Sequence, residues 1–177
     1  MMTTSIRLLN DGTIKRDGGS MFGRLPKTTW ENKVVTDRKN RMTLNLNCLL
    51  IELAGKTIIV DTGVGSKEVD GLRDEYGLGP SRLVKSLKSM GISTNQVDIV
   101  ILTNLSFDHS GGCTKLDRTG NLVPTFPKAT HYVQRECWEQ AKNPSERFQD
   151  VYFEDDFRPI EEWDQLELLD GGHEILP

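Results

Sequence analysis

The apolar runs of this chain are short, and polar residues return quickly, a rhythm of strands with few helices. Residues 99–102 (IVIL) are wholly apolar, and their length and β-branched content predict a buried strand. Residues 44–53 (LNLNCLLIEL) alternate at first and then turn continuously apolar, which predicts a strand that becomes buried on both faces. Ala54-Gly55-Lys56 connects it as a hairpin to a partner strand over 57–60. A first strand is expected over 5–10, ended by the turn residues Asp11-Gly12-Thr13, and further strands over 129–134 and 165–170.

Two segments take the helical period. In 81–90 (SRLVKSLKSM), Leu83, Val84, Leu87 and Met90 fall on one face, with Ser81 as N-cap and Gly91 as the stop. Residues 135–142 start a second helix, ended by Asn143-Pro144. Residues 16–26, 65–79 and 115–121 are glycine-rich or polar and are expected to be irregular, while the acidic and aromatic residues 148–163 are expected to cover the sheet edge. This order predicts an α/β fold, a mixed sheet with helices on its outer face, as one domain over 1–177.

Composition narrows the function classes. The net charge is -4 and no basic patch stands out, so nucleic acid is not expected as a partner. No apolar run reaches the length of a signal peptide or a membrane span, so no membrane association and a cytoplasmic location are expected. Cys48, Cys113 and Cys137 lack any pairing or metal-ligand spacing, which fits a reducing compartment, and Cys48 and Cys113 are expected in the core.

The chemistry concentrates in the polar loop after the central strand, TNLSFDHSGG at 103–112. Asp108 and His109 are residue types that bind metal, and a loop held by a buried strand is a common place for a site. The stretch resembles the H-x-H-x-D-H plus Gly-Gly signature of the metallo-β-lactamase superfamily. It matches at Thr103, Leu105, Phe107, Asp108, His109, Ser110, Gly111 and Gly112, and departs at Asn104 and Ser106, where the family has two zinc-binding histidines. Asp61-Thr62-Gly63 resembles the family's second signature, and Met21-Phe22-Gly23, Pro26-Lys27 and Trp30-Glu31 resemble its lactonase-like subgroup.

The resemblance implies a four-layer αββα sandwich, of which this chain supplies mainly the first half, with Pro177 as an apparent truncation. It implies zinc as the cofactor, with Asp108 and His109 as residual ligands and Asp108 as the base of an active form. Asp61 would brace the loop by hydrogen bonds without binding metal, Met21, Phe22 and Trp30 would shape the mouth of a pocket, and residues 148–163 would form a variable helical lid as the alternative to a cover for the sheet edge. An amide oxygen at Asn104 and a hydroxyl at Ser106 are poor zinc ligands. Of the three histidines, His131 is expected to be a strand residue and His173 an exposed turn residue. Zinc is therefore expected to be absent or substoichiometric. Three readings follow: a degenerate or truncated hydrolase fold without its two-zinc site, a lactone or ester hydrolase whose site another chain completes, and a non-catalytic binding module using the old pocket. The inner sheet face is expected to lie uncovered and to support self-association or a partner.

Overall fold

The computed structural model describes residues 4–67 and 71–176; Pro177, where a truncation is expected, lies outside the described residues. In chain order the elements are β1 (Ser5–Asp17), α1 (Gly18–Phe22), α2 (Lys27–Trp30), β2 (Arg41–Leu53), β3 (Lys56–Val60), α3 (Leu72–Tyr76), α4 (Leu83–Ser89) and β4 (Ile99–Leu102). They continue with α5 (Phe107–Ser110), β5 (Thr114–Leu116), β6 (Leu122–Pro124), β7 (Thr130–Gln134), α6 (Arg135–Lys142), α7 (Glu154–Glu162) and β8 (Leu166–Leu169). Six strands form one sheet in the order β1-β2-β3-β4-β7-β8, and β5 and β6 form a separate hairpin. The pairs β1–β2 and β2–β3 are antiparallel, whereas β3–β4, β4–β7 and β7–β8 are parallel. The sheet is therefore mixed, and each parallel step needs a crossover, which the helical segments supply.

The pleat sorts side chains into two faces. Leu50, Ile59, Val100 and His131 are aligned across four strands and face the main core, where Leu83 and Leu87 of α4, Trp138 of α6, and Phe157 and Ile160 of α7 cover them. Burying each such aliphatic side chain contributes about 1.5–3 kcal/mol. The opposite face carries the row Leu8, Leu49, Val60, Ile101, Tyr132. At its β1 end this row is open: Leu8 is 67% exposed, and Ile6 beside it is 65% exposed. A smaller core gathers Ile14, Leu46, Leu72 and Phe107, with Val64, Tyr76, Val151 and Phe153 packed around them.

Several elements differ from the sequence reading. β1 does not stop at residue 10. Asp11-Gly12 forms a bulge in the β1–β2 register, with Gly12 at φ 135°, and the strand runs on to Asp17. The bulge turns Asp11 inward, and its buried carboxylate accepts from the Ser81 hydroxyl (2.6 Å) and the Arg82 and Leu83 amides (3.0 and 2.9 Å). The N-cap of α4 is thus Arg82, one residue later than expected, and its N-terminal amides are capped by Asp11 across the fold, with Ser81 serving as a donor to that cap. Residues 114–124, expected to be mostly loop, form the β5–β6 hairpin. Helix α7 contains Pro159, which cannot donate to the Asp155 carbonyl; the Thr114 hydroxyl donates to that carbonyl instead, at 2.6 Å. No helix among the described residues is long and apolar enough to cross a membrane.

Candidate functional site

The parallel pairing of β3 and β4 brings Asp61-Thr62-Gly63 beside the loop that follows β4. Asp61 extends the ladder by donating its amide to the Ile101 carbonyl at 2.9 Å, and then turns into the left-handed region at φ 55°. That turn aims its carboxylate into the loop. It accepts from the Thr103 amide (2.8 Å), the Thr103 hydroxyl (2.6 Å) and His109 Nδ1 (2.9 Å). The hydrogen bond to Asp61 raises the His109 pKa above its ordinary value, against the opposing effect of burial. Thr62 fixes the far side of the loop: its amide and hydroxyl both donate to the His109 carbonyl, at 2.7 and 2.9 Å.

The two glycines that close the loop are required by close backbone approach. A Cβ at Gly111 would lie 2.4 Å from the Val64 carbonyl oxygen, and one at Gly112 would lie 2.2 Å from the Thr62 carbonyl oxygen. Lys67 then ties this corner to α7. Its buried ammonium meets Asp156 Oδ1 (3.0 Å) and donates to the Gly111 and Thr114 carbonyls and the Thr114 hydroxyl. Burial lifts the Asp156 pKa, and Lys67 offsets only part of that effect. Neither Lys67 nor Asp156 carries a periodic or motif signal in the sequence, and their pairing spans a separation that only the fold reveals.

The acidic side of the loop is held differently. Asp108 accepts from the Ser106 hydroxyl at Oδ1 (2.7 Å) and from Arg16 Nη2 at Oδ2 (2.7 Å). Burial alone would raise the Asp108 pKa, but the Ser106 and Arg16 contacts outweigh it and hold the carboxyl below the usual range. The Ser106 amide donates to Asn104 Oδ1 at 2.6 Å, an Asx-type turn that starts α5. Arg16 reaches the site from the end of β1, with its guanidinium 4.9 Å from the Tyr76 ring centroid and 5.4 Å from that of Phe107. The sequence reading did not single out Arg16.

Met21, Phe22 and Trp30 lie on the short helices that follow β1. Phe22 stacks on Trp30 with centroids 4.5 Å apart, Trp30 is buried against Gly18, and Met21 is about half exposed. His131 is buried in β7, and neither ring nitrogen has a hydrogen-bond partner; burial pushes its pKa down to about 4. His173 is exposed. Cys48 and Cys113 are buried, and burial raises both thiols, Cys113 to about 12, which leaves them unreactive.

The donor set among the described residues does not by itself fit a zinc ion. Among the described residues, no group of three or more His, Cys, Asp and Glu side chains converges on one point. Asp108 is engaged on both oxygens, and His109 Nδ1 is bonded to the Asp61 carboxylate. Asn104 and Ser106 spend their oxygens on closing the loop.

The class of scaffold is thus a mixed α/β sheet whose parallel central strand passes into a glycine-closed Asp-His loop, braced by an aspartate from the neighbouring strand. The chain belongs to the metallo-β-lactamase superfamily, whose model matches residues 42–177. No curated protein matches it by sequence. Among solved structures it is similar to a probable metal-dependent hydrolase from Staphylococcus aureus, with a TM-score of 0.88 and 28% identity, covering 98% of this chain and 61% of that one. It is also similar in fold to AidC, a dizinc quorum-quenching lactonase, with a TM-score of 0.72 and 19% identity, covering 99% of this chain and 62% of that one. An N-acyl homoserine lactone hydrolase, solved with its product at the catalytic metal centre, gives a TM-score of 0.68 and 22% identity, covering 100% of this chain and 64% of that one. The chain therefore spans about three fifths of the length of these relatives, and its mixed sheet is a part of their fold.

Proposed function

We propose that this chain is a metallo-β-lactamase-fold protein that has lost the two-zinc site and, with it, hydrolytic activity. The observation that carries the reading is the state of the motif loop. At the two positions that the family signature gives to zinc-binding histidines, Asn104 and Ser106 close the loop by hydrogen bonds. A metal-bound water is one activated nucleophile for hydrolysing a lactone or ester at neutral pH, and the similar structures include a dizinc lactonase and a hydrolase with a catalytic metal centre. In this chain Asp108 braces the loop through Ser106 and Arg16, and no step is assigned to it as a base. The test is a turnover assay on N-acyl homoserine lactones and simple esters after incubation with zinc. The expected rate equals the buffer blank; turnover that disappears in Asp108→Asn would contradict the proposal.

A second reading concerns the open sheet face. Ile6, Leu8 and Leu49 are exposed on the side of the sheet opposite the main core, in line with Val60, Ile101 and Tyr132. A contiguous apolar row of this kind supports association through that face, with a second copy or with another polypeptide. Light scattering at rising concentration is expected to show self-association that Leu8→Lys abolishes. A strictly monomeric chain at all concentrations would remove the self-association form of this reading.

A further inference from the structure

We propose that Arg16 is an internal counter-ion that has taken the place of a metal ion at Asp108, so that the motif loop is ordered without metal. The inference rests on the proposed loss of the zinc site and extends it by naming what replaced the ion. The family signature gives Asp108 to a metal; here Asp108 Oδ2 holds Arg16 Nη2 at 2.7 Å. A carboxylate this sheltered needs a cation or a full set of donors, because burial disfavours its charge. Arg16 supplies the cation and the Ser106 hydroxyl supplies the second donor.

The setting separates this pair from an ordinary surface ion pair. The side chains of Arg16 and Asp108 are 21% and 16% exposed, whereas those of Arg135 and Asp170, which also pair, are 48% and 70% exposed. The Arg16 guanidinium is framed by Tyr76 and Phe107, whose rings meet at 5.0 Å, and Phe153 extends the aromatic cradle at 5.8 Å from Phe107. A planar, weakly hydrated guanidinium suits such a cradle better than an ammonium does. Arg16 comes from β1, Tyr76 from α3 and Phe107 from α5 within the loop, so one side chain joins β1 and α3 to the loop. A guanidinium and a divalent ion at one carboxylate repel each other strongly in this sheltered setting.

Two measurements test the proposal. The first is a thermal double-mutant cycle with Arg16→Met, Asp108→Asn and the double variant, each with zinc and with chelator. Each single change is expected to lower Tm by about 5 °C or more, the double variant to fall no further than the worse single, and zinc or chelator to leave the wild-type Tm unchanged. Additive losses would overturn the role of Arg16 while leaving the proposed loss of metal intact. The second uses calorimetric zinc titration of Asn104→His/Ser106→His, with Arg16 retained or changed to Met. The expected affinity is at least about tenfold tighter without Arg16. Equal zinc affinity in the two backgrounds would overturn the proposal. If Arg16→Met does not fold, Arg16→Gln, which also removes the charge, takes its place in both arms with the same expected outcomes, a Tm loss that is not additive with Asp108→Asn and a zinc affinity at least about tenfold tighter than with Arg16. Zinc bound to the wild-type chain would instead overturn the proposed loss of the site.

Discussion

At Gly111-Gly112 the motif loop lies against residues 62–64 backbone to backbone, with no room for a single added carbon. Earlier in the same loop, at Asn104 and Ser106, side chains of quite different chemistry from histidine sit in a well-bonded turn. The closing corner is fixed by sterics, and only glycine satisfies it. The ligand positions are fixed by what they bind, and once the ion is not needed any polar pair that closes the turn will serve. The difference separates a scaffold part of the family signature, kept here at Gly111-Gly112, from a ligand part, changed here at Asn104 and Ser106; on the proposed loss of the zinc site the first persists without the second.

The comparison can be broken at its steric end. Gly112→Ala places a Cβ 2.2 Å from the Thr62 carbonyl oxygen, a rigid atom, and is expected to cost more than about 5 kcal/mol, leaving little folded chain. Circular dichroism of the soluble fraction reads this directly. A folded Gly112→Ala variant would show that the corner is looser than its contacts imply.

Next in size is the clamp behind that corner. Lys67→Met leaves the Asp156 carboxylate buried without its cation, and is expected to cost about 3–5 kcal/mol in urea unfolding. The double change Lys67→Met/Asp156→Leu is expected to recover part of that loss, because it removes the buried charge as well. No recovery would assign the effect to the lost Gly111 and Thr114 contacts alone.

The third prediction concerns His131, a histidine placed in the scaffold and away from the loop. Its pKa is about 4 in the folded chain, against an ordinary 6.5, because burial disfavours the charged ring. Between these values the unfolded chain binds a proton that the folded chain refuses. Stability is thus full above pH 6.5 and falls as pH drops toward 4, by about 3 kcal/mol from this group. His131→Leu is expected to flatten that part of the stability profile. An unchanged slope would mean that other groups carry the acid sensitivity.

The scaffold was legible in the sequence where pattern and length were unambiguous. The four apolar residues of β4 and the helix α6 were found with their bounds, and the mixed sheet with helices on one face follows from their order. The β1 bulge was not legible, because Asp11-Gly12-Thr13 has the composition of a turn and only pairing with β2 shows that the strand continues. The β5–β6 hairpin has three residues per strand, too few for a period to register. In the site, the departures at Asn104 and Ser106 could be read directly. Arg16, Lys67 and Asp11 could not, since each acts on a partner distant in the chain and none lies in a pattern.

The central claim is that this chain keeps the loop and not the ion. Elemental analysis of the wild-type protein, dialysed against zinc and then against metal-free buffer, tests it most directly. The account predicts far less than one zinc per chain, with an unchanged far-ultraviolet spectrum after chelation. Close to one zinc per chain, removable together with the loop's order, would contradict it.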